Sequence, residues 1–331
     1  MWWNLPVWVV AVKLSLVVLL LYFRIARAFG ILDIPNHRSS HSHQTIRGAG
    51  IVFPLLFLLG VLNETYGGVV TASLWDSRFV VLGIVLVTVL SFWDDVQPLS
   101  PGIRLLVQLV SVVLVISNFG LLPLWMFLVC VVGIIGVLNA YNFIDGINGI
   151  TVLYSLVAVL SVFWLRSVLG LYDAWYDEGL LGLVGAFLAF GFFNLRKRAV
   201  CFSGDVGAIS VALILCYGLL DVMIATGNWW FILLLGVYGL DSVATIVFRK
   251  FRGEQLQEAH RSHLYQYLAN ERRWSHVGVA MVYASLQAFL SFCLVQGWMG
   301  ISVLLFGSYV VIYLWFRFTY EGRVRLLKKY S

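Results

Sequence analysis

Charge is scarce in this chain of 331 residues: only 11% of the side chains are charged and 61% are apolar. A soluble domain carries roughly 25% charged residues, and soluble packing cannot hide this much apolar surface. A separate soluble domain is also missing, because the longest polar segment, 248–275, is too short for a core of its own. Cysteine is sparse. Cys130, Cys201, Cys216 and Cys293 never fall into CxxC spacing, which excludes a thiolate metal site and a disulfide framework and leaves them as small packing residues. No repeat and no low-complexity stretch is present. A positive region before the first apolar run is lacking too; Arg24 and Arg27 follow that run, so it reads as a retained anchor with the N-terminus outside.

What is present is a series of apolar runs of spanning or near-spanning length. Eleven are expected, at about 7–28, 49–66, 78–93, 104–118, 123–141, 151–170, 179–194, 206–226, 230–247, 276–296 and 300–316. The run at 104–118 is the shortest. The fold class expected is an all-α polytopic membrane protein of about 11 transmembrane helices, with the C-terminus cytoplasmic. Charge supports that orientation. The connections 29–48, 94–104, 139–150, 195–205 and 248–275, the Arg24/Arg27 flank and the tail from 317 hold nineteen of the 22 Lys and Arg residues. Lys13, Arg78 and Arg166 are the exceptions, as a positive-inside bias allows. The net charge of +6 is scattered over short loops, so nucleic acid is not an expected partner. Trp2, Trp3, Trp75, Trp175, Trp229, Trp230 and Trp298 fall near the outer interfaces, as an aromatic belt does.

Acidic residues cluster at the ends of the apolar runs, on the same side as the basic loops. Carboxylates at membrane edges are expensive and are usually functional. Asp94 and Asp95 close the third run; two adjacent carboxylates need a cation, a proton or water. Arg104 opens the next run, where it can hold a phosphate. Asn139, Asn142, Asp145 and Asn148 recur every three residues, which on a helix keeps them roughly on one face with a drift of about 60° per step. Asp205 opens the eighth run behind Arg196-Lys197-Arg198; it suits a helix cap, a metal ligand or both. Asp33, His37, Arg38, His41 and Arg47 populate the first cytoplasmic loop, and His260, Arg261 and His263 the long one. Asp241 and Arg249 stand eight residues apart near one span end and suit an intramembrane pair or a structural cap; Asp221 suits packing or capping. Hard oxygen ligands beside basic loops suggest a divalent cation and phosphate chemistry.

The ordered set DxPxxRxxH at 33–41, RGAG at 47–50, DD at 94–95 with Arg104, NxxNFxDGxNG at 139–149, GDxGA at 204–208 and His-Arg-Ser-His at 260–263 resembles the polyprenyl-phosphate N-acetylhexosamine-1-phosphate transferases. In style it is similar to the branch that initiates O-antigen synthesis; the transferase that builds the first lipid precursor of peptidoglycan is a relative. The family often has Lys where Arg104 stands and three histidines where this chain has two. The resemblance implies one integral-membrane catalytic domain over 1–331, a UDP-N-acetylhexosamine donor and an undecaprenyl phosphate acceptor. It implies Mg2+, with Mn2+ as a substitute, held by Asp145 and Asp205. Asp94, Asp95, Asp145 and Asp205 are the implied catalytic residues. Arg38, Arg47, Arg104, Asn139, Asn142, Asn148, His260, Arg261 and His263 are the expected substrate-binding ones. A bacterial cytoplasmic membrane location with the active site facing the cytoplasm follows, and a homodimer is a possible assembly. A transporter or flippase for lipid-linked sugars is the alternative; it needs polar residues along a path through the membrane, whereas this chain gathers them at one face.

Overall fold

The computed structural model describes residues 6–35, 40, 43–66, 70–255 and 261–327, with side chains throughout except at 63–66 and 70–76. Arg38 and His260 lie outside the described residues, as do His37 and His41. The chain is helical nearly throughout: α1 (Val7–Phe29), α2 (Val52–Tyr66), α3 (Val70–Val96), α4 (Pro101–Ser117), α5 (Leu124–Ile144), α6 (Ile150–Val168) and α7 (Ala174–Asn194). There follow α8 (Gly204–Thr226), α9 (Gly236–Arg252), α10 (Leu264–Asn270), α11 (His276–Val295), α12 (Met299–Tyr320) and α13 (Arg323–Leu327). Among the described residues, nine helices are long and apolar enough to cross a membrane. The shorter apolar helices Ala49–Leu62 and Pro101–Ser117 occupy the remaining two of the eleven expected positions. The protein is a multi-pass membrane protein.

Local sequence explains the helix ends that matter. Ser100 caps α4 and Pro101 occupies its first turn, where a missing N–H is harmless. The ninth span opens with a 3-10 turn (Trp229–Leu235) that runs directly into α9. Two two-residue strands, β1 (Leu32–Asp33) and β2 (Thr45–Ile46), pair antiparallel in the first loop.

Helix α8 is the axle, with 83% of its most apolar stretch buried inside the protein, against 11% for α12. Helices α3, α5 and α6 pack on α8, and α7 carries α1 and α2. The approach to α7 is close because it presents glycine: a Cβ at Gly185 would lie 2.6 Å from the Trp8 carbonyl, and one at Gly182 would collide with the Leu56 carbonyl. Small residues let membrane helices touch at backbone distance.

Polar contacts join the connections at one end. Ile46 bridges Cys201 in parallel, Phe202 N–H donates to the Ile46 carbonyl at 2.8 Å, and Ala49 N–H donates to that of Phe202 at 3.1 Å. Tyr265 O–H donates to the Phe143 carbonyl at 2.9 Å. At the opposite end, Arg166, one of the three expected exceptions to the charge bias, is buried against Asp177 at 3.2 Å and also contacts Asp221. A buried arginine is tolerable only when paired, and this one joins α6, α7 and α8.

Candidate active site

The site is built where α3, α4, α5 and α8 meet the first loop. Asp95 is buried, and both of its oxygens face the start of α8: Oδ1 accepts from Asp205 N–H at 3.0 Å and Oδ2 from Val206 N–H at 3.1 Å. Helix N-termini leave such donors unsatisfied and attract negative charge. Ser203, the residue at the cap position, makes no side-chain cap bond there, so a carboxylate from another helix does the capping. Gly204 permits this. Its φ is +72°, and a Cβ would sit 2.7 Å from the Asp95 carboxylate carbon.

Asp205 lies in the first turn of α8 with its carboxylate partly open. Arg47 binds both Asp95 (Nε to Oδ1, 2.7 Å) and Asp205 (Nη2 to Oδ1, 3.3 Å). Arg104 reaches Asp94 at 3.2 Å and Asp205 at 3.8 Å, and Asn142 donates to Asp205 Oδ2 at 3.2 Å. Asp94 also accepts Leu99 N–H at 2.6 Å, closing the turn between α3 and α4. The two arginine side chains keep about a third of their surface open, 34% for Arg47 and 37% for Arg104. They can therefore meet an incoming anion while anchored from behind.

Asp145 ends α5 as its C-cap. Its carboxylate accepts from Ser203 Oγ at 2.5 Å and from Thr151 Oγ1. Burial pushes its pKa up to about 6, against the lowering effect of the two hydroxyls, and the nearby Asp205 charge adds to the rise. The expected helical face for the four polar residues of 139–148 is corrected here. The helix stops at Ile144, so only Asn139 and Asn142 ride on it. Asn139 faces α4, donating to Gln108 at 3.3 Å and to the Ile135 carbonyl at 2.8 Å. Asn148 donates to the Arg196 carbonyl at 3.0 Å.

The structure thus brings together Asp94, Asp95, Asp205, Arg47, Arg104 and Asn142, with Asp145 beside them through Ser203. It leaves Asn139, Asn148, Arg261 and His263 elsewhere. His263 starts α10 in a capping box with Gln266, buried 3.7 Å from Asp241. Asp241 does not pair with Arg249; it takes Tyr283, Tyr313 and Leu264 N–H, at 2.8, 2.8 and 3.0 Å, while Arg249 takes Glu254. Sequence reasoning did not single out Ser203, Thr151 or Asn194 as positioning residues. Asn194 accepts from Gly149 N–H at 2.7 Å and donates to the Cys201 carbonyl at 2.8 Å, tying the Asp145 loop to the approach to Asp205. Ser203 and Thr151 each stand within six residues of a motif aspartate, which is the only signal they gave.

Four carboxylates face two guanidinium groups, a formal deficit of two positive charges. Among the described residues no group of three His, Cys, Asp or Glu side chains forms a ready metal cage. Mg2+ rarely uses one; it takes one or two carboxylates and completes its shell with water and substrate phosphate. The donor set and the charge deficit fit such an ion.

The class defined by this fold and cluster is a membrane protein with a carboxylate–guanidinium site at one end of its helices. Residues 77–223 match the model of glycosyl transferase family 4. The match takes in every site residue from Asp94 to Asp205. No curated protein matches the chain. The family match supports a glycosyl-phosphate transferase activity for this multi-pass membrane protein.

Proposed function

We propose that the protein transfers the sugar-1-phosphate of a UDP-N-acetylhexosamine to undecaprenyl phosphate, at the cytoplasmic face of a bacterial inner membrane, as the opening membrane step of O-antigen or a similar surface polysaccharide. The observation that carries this reading is the Asp205 carboxylate set between Arg47 and Arg104, with Asn142 and Asp94 beside it. That arrangement suits two phosphorylated partners, one arriving from the bilayer and one from the cytosol.

An oxygen of the lipid phosphate attacks the sugar-proximal phosphorus. The bond from that phosphorus to the bridging oxygen breaks, and UMP leaves with the electron pair. A phosphate monoester has its second pKa near ~6, so the nucleophile is largely ionised at pH 7 without a strong base. Little covalent work then falls to the protein, and positioning and charge stabilisation dominate. Arg47 and Arg104 bind and orient the anions through their open edges. Asp94 sets Arg104, and Asp95 holds Arg47 and the start of α8. Asp205 and Asp145 would hold the divalent cation, which neutralises the diphosphate when bound. Arg261 and His263 support the sugar-nucleotide side through the loop that carries them.

The test is UMP release by purified protein supplied with undecaprenyl phosphate, Mg2+ and a panel of UDP-N-acetylhexosamines. Release that requires lipid and metal and disappears in Asp205→Asn is expected. Folded protein that releases no UMP with any donor would overturn the reading.

A further inference from the structure

Away from the carboxylate cluster, a cavity of about 350 Å³ opens where α9, the loop after it, α12 and α13 converge. Arg252, Arg261, Arg317 and Arg325 line it with Glu254 and Glu321. Its ion pairs form one network: Arg249 and Arg252 share Glu254, Arg317 takes Glu321 at 2.6 Å, and Arg325 takes Glu271. Deeper in, Arg317 donates to Tyr313 O–H at 2.8 Å, and that hydroxyl donates to Asp241. Among the described residues, four guanidinium groups and two carboxylates line this partly enclosed, polar space.

Its depth is informative. The spans Trp229–Arg252 and Met299–Tyr320 both end at this cavity. Around it Phe251 and Val324 are 60% and 70% exposed, and Lys250 and Arg323 are exposed as well. Apolar side chains beside cations at the end of spanning helices mark the headgroup layer of a membrane. Basic pockets between helices at that level bind anionic headgroups, and the guanidinium fork matches a phosphate's paired oxygens.

We propose that this cavity binds the phosphodiester headgroup of an anionic phospholipid, with Arg252 and Arg325 as its main donors. The headgroup's negative charge suits a lining in which arginines outnumber carboxylates. Bound lipid also braces the long loop, because Arg252 donates to Ser262 Oγ at 3.0 Å and Arg317 to the Ser262 carbonyl at 2.8 Å. This assignment does not depend on the transfer reaction proposed above.

The experiment is native mass spectrometry of the full chain released from detergent with phosphatidylglycerol or phosphatidylcholine of matched acyl chains. Phosphatidylglycerol adducts are expected to dominate in the wild type, to fall about tenfold in the Arg252→Gln/Arg325→Gln double variant and to persist in Arg325→Lys. Millimolar inorganic phosphate or UDP-N-acetylglucosamine is expected to leave the adducts in place. Equal retention of both lipids, or unchanged phosphatidylglycerol in a folded double variant, would overturn the site. Displacement by inorganic phosphate or the nucleotide sugar would overturn the lipid assignment in favour of a soluble phosphate. The wild-type comparison and the competition decide the matter even if the double variant fails to fold.

Discussion

The carboxylate of Asp95, at the end of α3, holds the first turn of the helix on which Asp205 sits, accepting the N–H of Asp205 at 3.0 Å and that of Val206 at 3.1 Å. Its neighbour Asp94 turns instead to Leu99 and Arg104. Adjacent aspartates are thereby given separate duties, one chiefly structural and one facing the open side of the site. Asp95→Asn is expected to lower the unfolding free energy by roughly 3 kcal/mol, because Arg47 loses its buried partner and an amide replaces one acceptor at the helix start. Asp94→Asn keeps an oxygen for Leu99, so it should change stability by under about 1 kcal/mol while lowering turnover strongly. Denaturation in detergent alongside UMP release separates the two; equal destabilisation by both would contradict this division.

Gly204 and Gly253 offer a matched comparison. Both have positive φ, +72° and +74°, but only Gly204 is crowded, while a Cβ at Gly253 meets nothing within 4 Å. Alanine at Gly253 should cost about 1 kcal/mol for the backbone alone. Alanine at Gly204 should cost roughly twice that or more and abolish activity, because it pushes Asp95 away from α8. Thermal unfolding of the two variants is the check.

Asp145 gives the protein a pH signature. Its pKa rises from 3.8 to about 6 on folding, so between these values the folded chain keeps a proton that the unfolded chain releases. The contribution to stability is fully present below about pH 4 and is lost as pH rises through about 6. Unfolding measured from pH 3.5 to 7.5 without divalent cation should show this decline in the wild type and a flatter profile in Asp145→Asn. Identical slopes would remove Asp145 as the source.

Arg166 tests the far end. Its removal leaves Asp177 and Asp221 facing each other's charge without a cation between them. Arg166→Ala should destabilise by about 3–5 kcal/mol yet leave KM for both substrates unchanged in the folded fraction. A shift in either KM would mean that the two ends of α8 are coupled.

The convergence of Asp94, Asp95, Arg104 and Asp205 was legible in the sequence because counting alternate span ends places all four on one side. Asp95 as a cap was not, since successive helical residues point about 100° apart and their partners lie on another helix. The polar steps at 139–148 misled for a different reason: periodicity persists in the letters after the helix has stopped at Ile144. His263 and Asp241 had local motifs, but the tyrosines that complete the surroundings of Asp241 come from α11 and α12, up to 72 residues away. The pairing of Arg166 with Asp177 and Asp221 likewise depends on tertiary packing, which no spacing encodes.

The bridge between Ile46 and Cys201 has a consequence for how the chain is made. A ribosome delivers the first loop more than 150 residues before the segment that completes it. Until α8 is inserted, Arg47 can neutralise only the aspartates at the end of α3, and the edge of β2 waits without its neighbour. The carboxylate chamber is therefore a late product of biogenesis, closed by its own axle, and a nascent chain halted before α8 would be embedded in the bilayer without it.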